Sequence, residues 1–226
     1  MNCESCKDDG FIWRQIAENG TTYDVCKPCP ACAKGQAQLN ALRGITPPRK
    51  EWAVTLKKYA HQQEAIRVCK RALAGNTKGV LLWSPDTGTG KTAIMRNVYR
   101  ALIEKGIRPA WLNWSDAVET SAKSYSNDRE EKLEATLIRD TIAHSPVLFL
   151  DDVGAGGSTN LVFLERVWAQ ALSDRIDYSL QTFATSNFSI MELGPIIGER
   201  IQSRLRGLLT PHQLDGPDLR EKNQNG

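Results

Sequence analysis

Short apolar runs recur along the chain from residue 80 onwards, with longer stretches of helical periodicity between them. Four runs have the length of buried strands and lie at residues 80–83, 110–114, 147–150 and 182–185. Helices are predicted at residues 61–74, 92–105, 116–124, 129–143 and 161–175. The first two have apolar residues three and four positions apart, and those at 116–124 and 129–143 have polar faces. Strands that alternate with helices indicate a parallel sheet covered by helices on both faces.

The first 44 residues show a different pattern. Strand-forming runs within residues 11–25 flank Asn19-Gly20, a pair typical of two-residue hairpin turns, and so predict a β-hairpin. Two consecutive prolines, Pro47 and Pro48, then interrupt regular structure, because proline lacks an N–H and restricts the residue before it. We therefore predict two domains, residues 1–44 and residues 45–226.

Composition excludes several classes of protein. Hydrophobic residues make up 41% of the 226 positions and charged residues 24%, which is the balance of a folded globular chain. No apolar run reaches the ~18 residues that a membrane span requires, so no membrane partner is expected. The start of the chain lacks the basic and apolar parts of a secretory signal, and we expect a cytoplasmic protein. The net charge of +3 permits a nucleic-acid partner without requiring one.

Five of the six cysteines fall within the first 32 residues, at C-x2-C spacing. Such pairs present two thiolates on one turn, and a structural zinc ion takes four ligands in a tetrahedron. Cys3 pairs with Cys6, whereas Cys29 has the correct spacing to both Cys26 and Cys32. We favour Cys29 with Cys32, because the proline and small residue between them suit a metal knuckle, and Cys26 is the alternative ligand. Free cysteines are the alternative interpretation of the whole cluster.

The strand predicted at residues 80–83 leads directly into S-P-D-T-G-T-G-K-T. This matches the phosphate-loop pattern G-x-x-x-x-G-K-T except that Pro85 takes the first glycine position. Gly88 and Gly90 let successive N–H groups face one anion, and the following helix adds its positive N-terminus. Lys91 is expected to reach the β- and γ-phosphates of a nucleotide, and the Thr92 hydroxyl to bind Mg²⁺. The predicted nucleotide-binding residues of the loop are Pro85, Asp86, Thr87, Gly88, Thr89, Gly90, Lys91 and Thr92.

Two aspartates follow the apolar strand predicted at residues 147–150. This strand places Asp151 and Asp152 at the carboxyl edge of the sheet, where ligands of open parallel sheets bind. We expect Asp151 to orient Mg²⁺ together with Thr92, and Asp152 to accept a proton from the attacking water. Two aspartates after an apolar strand often only mark where the strand ends. The phosphate loop earlier in the chain is what indicates Mg²⁺ binding and hydrolysis for this pair.

Polar residues in the last quarter of the chain extend the candidate chemistry. Asn187 follows the strand predicted at residues 182–185, and it either holds the attacking water or forms a turn. Arg200 and Arg204 lie four residues apart and so share one face of a helix. An arginine that reaches the γ-phosphate of a neighbouring subunit would make hydrolysis depend on assembly. An ordinary solvated basic face is the alternative.

Taken together, these motifs resemble those of the DnaC/IstB-like AAA+ ATPases, a family of helicase loaders and transposition helpers. The resemblance covers about residues 45–220 and includes, besides the phosphate loop, the motifs at residues 46–49, 150–154, 184–187 and 198–205. It implies a AAA+ P-loop fold with Lys91 and Asp152 as catalytic residues. In the same resemblance Asn187 corresponds to the sensor-1 residue, Arg204 to the trans-acting arginine finger and Arg220 to the nucleotide-binding sensor-2 residue.

The resemblance also implies cofactors and partners. Residues 1–44 are similar to the zinc module of bacterial and phage helicase loaders, which implies docking on a hexameric replicative helicase. The AAA+ domain is expected to bind ATP and Mg²⁺, to self-associate through Arg204 and to deliver the helicase to single-stranded DNA. Lys123 and Tyr125 are candidate DNA contacts, because an aromatic ring beside a cation suits a single strand. An ordinary solvated helix is the alternative for these two residues.

Two departures from the family pattern leave other functions open. Pro85 replaces a glycine, and Asp152 stands where many AAA+ enzymes have the longer glutamate, so we expect slow hydrolysis that suits a timing switch. One alternative is a non-hydrolysing adaptor or inhibitor of a helicase that uses nucleotide as a switch. The other is a transposition helper ATPase, although a zinc module is not part of the usual helper pattern.

Overall fold

The computed structural model describes residues 4, 11–18, 21–28, 62–75, 78–156 and 161–218. The chain divides into two compact units, residues 1–45 and residues 46–226. The predicted zinc ligands Cys3, Cys6, Cys29 and Cys32 lie outside the described residues, as does Arg220. Cys26 is described only as a backbone position in a strand. The zinc site therefore stays a prediction.

The first unit contains a β-hairpin. Strand β1 (Phe11–Glu18) pairs antiparallel with strand β2 (Thr21–Pro28). Glu18 lies opposite Thr21, so only residues 19 and 20 connect the two strands. The two strands predicted on either side of Asn19-Gly20 are confirmed, and β2 extends beyond residue 25.

The second unit is built on a five-stranded parallel sheet. Its strands are β3 (Gly79–Trp83), β4 (Ala110–Asn113), β5 (Val147–Val153), β6 (Gln181–Ser186) and β7 (Leu209–Gln213). Their order across the sheet is β4-β5-β6-β3-β7, and the first four confirm the strands predicted from the apolar runs. The sequence pattern does not predict β7, because it contains Pro211 and three of its five residues are exposed. Both features are tolerated in a strand at the edge of a sheet.

Helices connect the strands of this sheet. They are α1 (Gln63–Leu73), α2 (Lys91–Glu104), α3 (Trp114–Ala122), α4 (Arg129–His144), α5 (Leu161–Asp177), the short α6 (Gly194–Ile197) and α7 (Glu199–Leu208), with a 3-10 turn at Lys123–Tyr125. The ends of α1 to α5 lie within two residues of the predicted ones. Trp114, predicted at the end of a strand, instead begins α3, because the Asn113 side chain accepts a hydrogen bond from the Asp116 N–H (3.3 Å) and caps the helix. Among the described residues, no helix combines the length and apolar character needed to cross a membrane.

A row of aromatic rings crosses one face of the sheet. Trp111, Phe149 and Phe183 are cross-strand neighbours on β4, β5 and β6. Their rings stack with centroid distances of 5.4 Å and 5.1 Å. Tyr99 of α2 places its ring edge-on to Trp111 (5.8 Å) and Phe149 (5.5 Å). Because α1 and α2 pack into the same buried cluster, this row holds α2 against the strands that end at the site described below.

The opposite face of the sheet is covered by α3, α4 and α5. Alternate strand residues such as Leu112 and Leu148 point to this face and are fully buried. Trp114 of α3 contacts Trp168 of α5 with a centroid distance of 4.6 Å, and both rings are buried. The Trp168 indole N–H donates to the Ser121 hydroxyl (3.2 Å), so its polar group is satisfied inside the core. The sheet is therefore a central layer between two helical layers, as predicted.

A buried arginine joins the elements at the amino edge of the sheet. Arg175, near the end of α5, donates to the carbonyls of Ile142 (2.8 Å), Ser145 (2.9 Å) and Gln181, and to the Thr182 hydroxyl (2.9 Å). Burial lowers the pKa of Arg175 to about 9, which still leaves the guanidinium charged at pH 7. The four acceptors belong to the end of α4 and the start of β6. Arg175 is therefore a structural residue, remote from the carboxyl edge of the sheet.

Candidate functional site

The phosphate loop occupies residues 84–90, between β3 and α2. Gly88 (φ +70°) and Gly90 (φ +96°) adopt left-handed backbone conformations that favour glycine, because a side chain would be strained there. The Gly90 carbonyl accepts the first helical hydrogen bond of α2 from the Ile94 N–H (2.9 Å). The two glycines therefore wrap the backbone around the N-terminus of α2, and helix N-termini attract anions.

Lys91 begins α2 and folds back onto the loop. Its side chain is buried, and Nζ donates to the backbone carbonyls of Ser84 (3.2 Å) and Asp86 (2.9 Å). These carbonyls hold the ammonium charge at the loop, where it adds to the positive end of the α2 dipole. The structure therefore brings together the predicted lysine and the predicted glycine turns.

One carboxylate oxygen joins α2 to strands β5 and β6. Asp151 Oδ1 accepts hydrogen bonds from the Thr92 hydroxyl (2.9 Å) of α2 and from the Thr185 hydroxyl (2.6 Å) of β6. The Thr185 oxygen accepts in turn from the Asp152 N–H (2.9 Å). We call Thr92, Asp151 and Thr185 the carboxylate cluster. The two residues predicted to bind Mg²⁺, Thr92 and Asp151, are therefore in direct contact.

The sequence pattern predicts no role for Thr185. A threonine at the end of a strand is unremarkable by itself, and its partner Asp151 lies 34 residues earlier in the chain. The usable signal is its position, because Thr185 and Asp151 both end apolar strands that are predicted to lie in one parallel sheet. Parallel strands end at the same edge, where functional groups collect.

Burial dominates the electrostatics of Asp151. It raises the pKa of the Asp151 carboxyl above its ordinary value, while hydrogen bonds from Thr185 and Thr92 act in the opposite direction. The negative charge of Asp152 adds to the increase, and the positive charge of Arg96 reduces it. A buried carboxylate beside a second carboxylate gains from a cation, and oxygen ligands suit Mg²⁺. The residues present therefore fit the predicted ion.

Asp152 has a strained backbone. Its φ of +58° is left-handed, and the pairing of β5 with β6 is irregular between Leu150 and Val153. Such a conformation costs a residue other than glycine about 1 kcal/mol or more. The hydrogen bond from the Asp152 N–H to Thr185 helps to hold it. Strain maintained by neighbouring contacts is characteristic of functional sites.

Asn187 lies directly after β6 and is half-buried. Its neighbour Ser186 connects β6 to both adjacent strand ends, because the Ser186 carbonyl accepts from the Ser84 N–H (3.2 Å) and its hydroxyl donates to the Val153 carbonyl (2.6 Å). In sheet order β6 lies between β5, which carries Asp152, and β3, which leads into the phosphate loop. Asn187 therefore lies at the carboxyl end of the strand that separates these two parts of the candidate site.

Both predicted arginines lie on helix α7. Arg204 lies on the exposed side of α7, and its Nε donates to the Ser173 hydroxyl (2.7 Å) of α5. Helix α7 runs directly into the first residue of β7, so Arg204 lies toward the amino edge of the sheet. Arg200 is at the start of α7, where its backbone N–H donates to the Glu165 carboxylate (2.9 Å). Neither arginine has a contact to the loop or the carboxylate cluster among those described.

The remaining loop residues fit an anionic ligand. Pro85, Asp86 and Thr87 form its exposed tip, whereas Thr89 is fully buried. Among the described residues, the Thr89 hydroxyl has no hydrogen-bond partner. Buried polar groups nearly always have a partner, so this hydroxyl fits a ligand that supplies an acceptor. The glycine turns, Lys91 and this hydroxyl together agree with the phosphate groups predicted for the loop.

Sequence comparison covers part of the second unit. Residues 55–112 match the family described as Type III restriction enzyme, res subunit. The matched residues contain α1, β3, the phosphate loop, α2 and all but the last residue of β4. A comparison with curated proteins gives no match.

Solved structures identify the fold. The structure of DnaI is 24% identical over 76% of this chain and 93% of that chain, with a TM-score of 0.60. The DnaC helicase loader is 20% identical over 74% of this chain and 100% of that chain, with a TM-score of 0.59. The protein has the AAA+ P-loop fold. The AMPPCP-bound DnaA of Aquifex aeolicus shares this fold, at 18% identity over 73% of this chain and 52% of that chain, with a TM-score of 0.57. The predicted fold class is confirmed for the second unit, and the similarity agrees with the resemblance to DnaC/IstB-like ATPases.

The carboxylate cluster predicts the effect of replacing Thr185 by valine, which has the same shape and no hydroxyl. In the Thr185→Val variant the Asp152 N–H loses its acceptor, and Asp151 Oδ1 loses the hydrogen bond that the Thr185 hydroxyl donates. We expect its free energy of unfolding to fall by about 1–3 kcal/mol in urea titrations. The matched control is Thr136→Val, since Thr136 is exposed on α4 and donates to the Lys132 carbonyl (2.9 Å). Equal effects of the two substitutions would show that the cluster adds no stability.

Proposed function

We propose that the protein is a Mg²⁺-dependent ATPase of the DnaC/IstB-like group that loads a hexameric replicative helicase onto single-stranded DNA. The observation that carries the proposal is the hydrogen bond between Thr92 and Asp151 beside a glycine-turned phosphate loop. The DnaI structure and the DnaC helicase loader support the choice of function, since both share the fold over nearly their full length.

Nucleotide binding is assigned to the loop and the carboxylate cluster. The loop N–H groups, the N-terminus of α2 and Lys91 would hold the phosphates by their positive charge. Thr92 and Asp151 would hold Mg²⁺, which offsets the negative charge of the triphosphate. Thr185 is a positioning residue in this scheme, because it acts through its hydrogen bond to Asp151.

Hydrolysis is assigned to Asp152 and Asn187. The Asp152 carboxylate would accept a proton from the attacking water, and the Asn187 amide would orient that water. Aspartate is one methylene shorter than glutamate, and at position 152 its backbone is fixed in a left-handed conformation. We therefore expect slow turnover, which suits a switch that reports nucleotide state more than it suits a motor.

Arg204 is assigned to the nucleotide of a neighbouring copy. It lies toward the amino edge of its own sheet, away from its own phosphate loop, and it is exposed. A side-by-side assembly would place the exposed side of α7 against the next loop, where a guanidinium stabilises the charge of the transferred phosphoryl group. Hydrolysis would then require two copies.

Single-stranded DNA binding is assigned to the turn at Lys123–Tyr125. The Tyr125 ring is 66% exposed and is held edge-on against Phe163 with a centroid distance of 5.3 Å. An exposed ring of fixed orientation suits stacking on a base. The Lys123 ammonium lies 3.6 Å from the Glu134 carboxylate, so part of its charge is balanced within the protein. Tyr125 is therefore the main proposed contact and Lys123 the secondary one.

Helicase docking is assigned to residues 1–44, and ATPase activity to residues 45–226. Zinc would be held by Cys3, Cys6 and Cys29, with Cys32 as the fourth ligand and Cys26 as its alternative. Four thiolates supply folding energy that so short a segment does not gain by burying apolar surface.

A nucleotide-switched adaptor without hydrolysis is the second candidate. The strained backbone of Asp152 favours it, together with Pro85 at the first glycine position of the loop, because both change positions that serve hydrolysis. Phosphate release over many turnovers in the presence of single-stranded DNA separates the two candidates. The adaptor releases none, whereas the ATPase releases it slowly.

Nucleotide binding is tested with Lys91→Ala. Removal of the ammonium group held at the loop is expected to raise the Kd for Mg-ATP about 10- to 100-fold in calorimetric titrations. Lys105→Ala is the matched control, because Lys105 is exposed at the opposite end of α2 and its loss should leave the Kd unchanged. The proposed function fails if well-folded wild-type protein takes up no nucleotide, or if both variants bind it equally.

The trans role of Arg204 is tested by mixing variants. Arg204→Ala is expected to bind Mg-ATP normally and to lose about 10³-fold in turnover, whereas Arg206→Ala on the same helix should keep its activity. Lys91→Ala is also inactive, but it still carries Arg204. Mixing the two inactive variants should restore phosphate release, because some interfaces combine an intact loop with an intact Arg204. A mixture that stays inactive, or full activity of Arg204→Ala alone, excludes the trans assignment.

The partner is tested by affinity capture with the full chain from lysate of cells that carry the protein. With Mg-ATP we expect a hexameric replicative helicase to be recovered in larger amount than with ADP, and recovery to fall for Lys91→Ala. Recovery of a transposase in place of a helicase would support the transposition-helper alternative instead.

A further inference from the structure

The chain continues past β7 along the phosphate loop. We call residues 214–218 the C-terminal segment. The Leu214 N–H donates to the Trp83 carbonyl (2.8 Å) at the end of β3, and the Leu214 side chain is fully buried in the core. The Asp215 carbonyl accepts from the Gln62 side chain (2.8 Å), which is itself buried. Two independent contacts therefore fix the start of the segment beside the strand that leads into the loop.

The segment brings the Asp218 carboxylate onto Gly88. A Cβ added to Gly88 would overlap both oxygens and the carbon of that carboxylate, so the two residues are in direct contact. Gly88 is also one of the two left-handed glycines that shape the phosphate loop. The absence of a side chain at position 88 is thus what allows a carboxylate to approach the loop backbone.

This contact sets two anions in competition for one region. The loop N–H groups, the N-terminus of α2 and Lys91 favour negative charge. Asp218 is itself acidic, and its carboxylate accepts hydrogen bonds and donates none. The phosphates of a nucleotide bound at the same loop would lie close to it, and like charges at short range repel.

We propose that Asp218 is an internal competitor of the nucleotide phosphates, so that nucleotide binding displaces the Asp218 carboxylate from Gly88. This inference rests on the proposed binding of ATP at the loop. Asp218 thereby sets nucleotide affinity in proportion to the charge of the nucleotide, and it passes the presence of nucleotide to the segment that follows β7.

The test is calorimetric titration of the full-length Asp218→Asn variant, which keeps the shape of the side chain and removes its charge. We expect the Kd for Mg-ATP to fall about three- to tenfold. The gain should be larger for ATP without Mg²⁺, smaller for Mg-ADP, and reduced at high salt, because repulsion scales with charge and is screened by ions. Asp215→Asn is the matched control, since Asp215 is an exposed carboxylate in the same segment that accepts from the Gln213 side chain (3.2 Å).

The outcomes separate this inference from the proposed function. An unchanged Kd for Asp218→Asn, or equal gains for Asp218→Asn and Asp215→Asn, overturns the inference while leaving ATP binding intact. A higher Kd of Asp218→Asn for Mg-ATP, without a similar rise for ATP lacking Mg²⁺, would indicate that Asp218 helps to hold the bound cation. That result would also overturn the inference. If neither wild type nor variant binds nucleotide, the proposed function itself fails.

Discussion

One buried oxygen, Asp151 Oδ1, determines how the parts of the candidate site are held together. It accepts from Thr92 at the start of α2 and from Thr185 at the end of β6, and thereby joins a helix to two strands. Burial of the carboxylate is costly, and these two hydroxyl groups compensate for part of that cost. A divalent cation would compensate for more. The same contact therefore serves stability and the proposed chemistry, and neither can be altered alone.

The parallel sheet decides which residues meet in one copy of the chain. Strands β3, β5 and β6 end at a common edge, and this edge collects Lys91, Asp151, Asp152 and Asn187. Helix α7 ends where β7 begins, and it carries Arg204 toward the amino edge of the sheet. Among the described contacts, Arg204 has none to the phosphate loop of its own chain. This separation is what the proposed role of Arg204 at a neighbouring copy relies on.

Several aspartates lie beside the phosphate loop, although this loop favours anions. Asp151 and Asp152 lie beside it at the end of β5, and Asp218 lies against Gly88. The aspartates of β5 fit a cation, whereas Asp218 lies against the loop backbone at Gly88. If Asp218 competes with the nucleotide phosphates as proposed, nucleotide binding would be an exchange of one anion for another, with part of the binding energy used to move Asp218 away from Gly88. A slow switch would gain from such coupling more than a fast enzyme would.

The sequence by itself determined the phosphate loop, the aspartate pair, the first four strands of the sheet in chain order and the helices between them. Each depends on local features, namely glycine positions, the length of an apolar run or its periodicity. Tertiary structure alone decided the contact of Thr185 with Asp151, the strand β7 and the approach of Asp218 to Gly88. Thr185 and Asp151 meet because β5 and β6 pair, and β7 forms despite Pro211 because an edge position tolerates it. Contacts between residues far apart in sequence follow from strand order and sheet pairing, which no local pattern encodes.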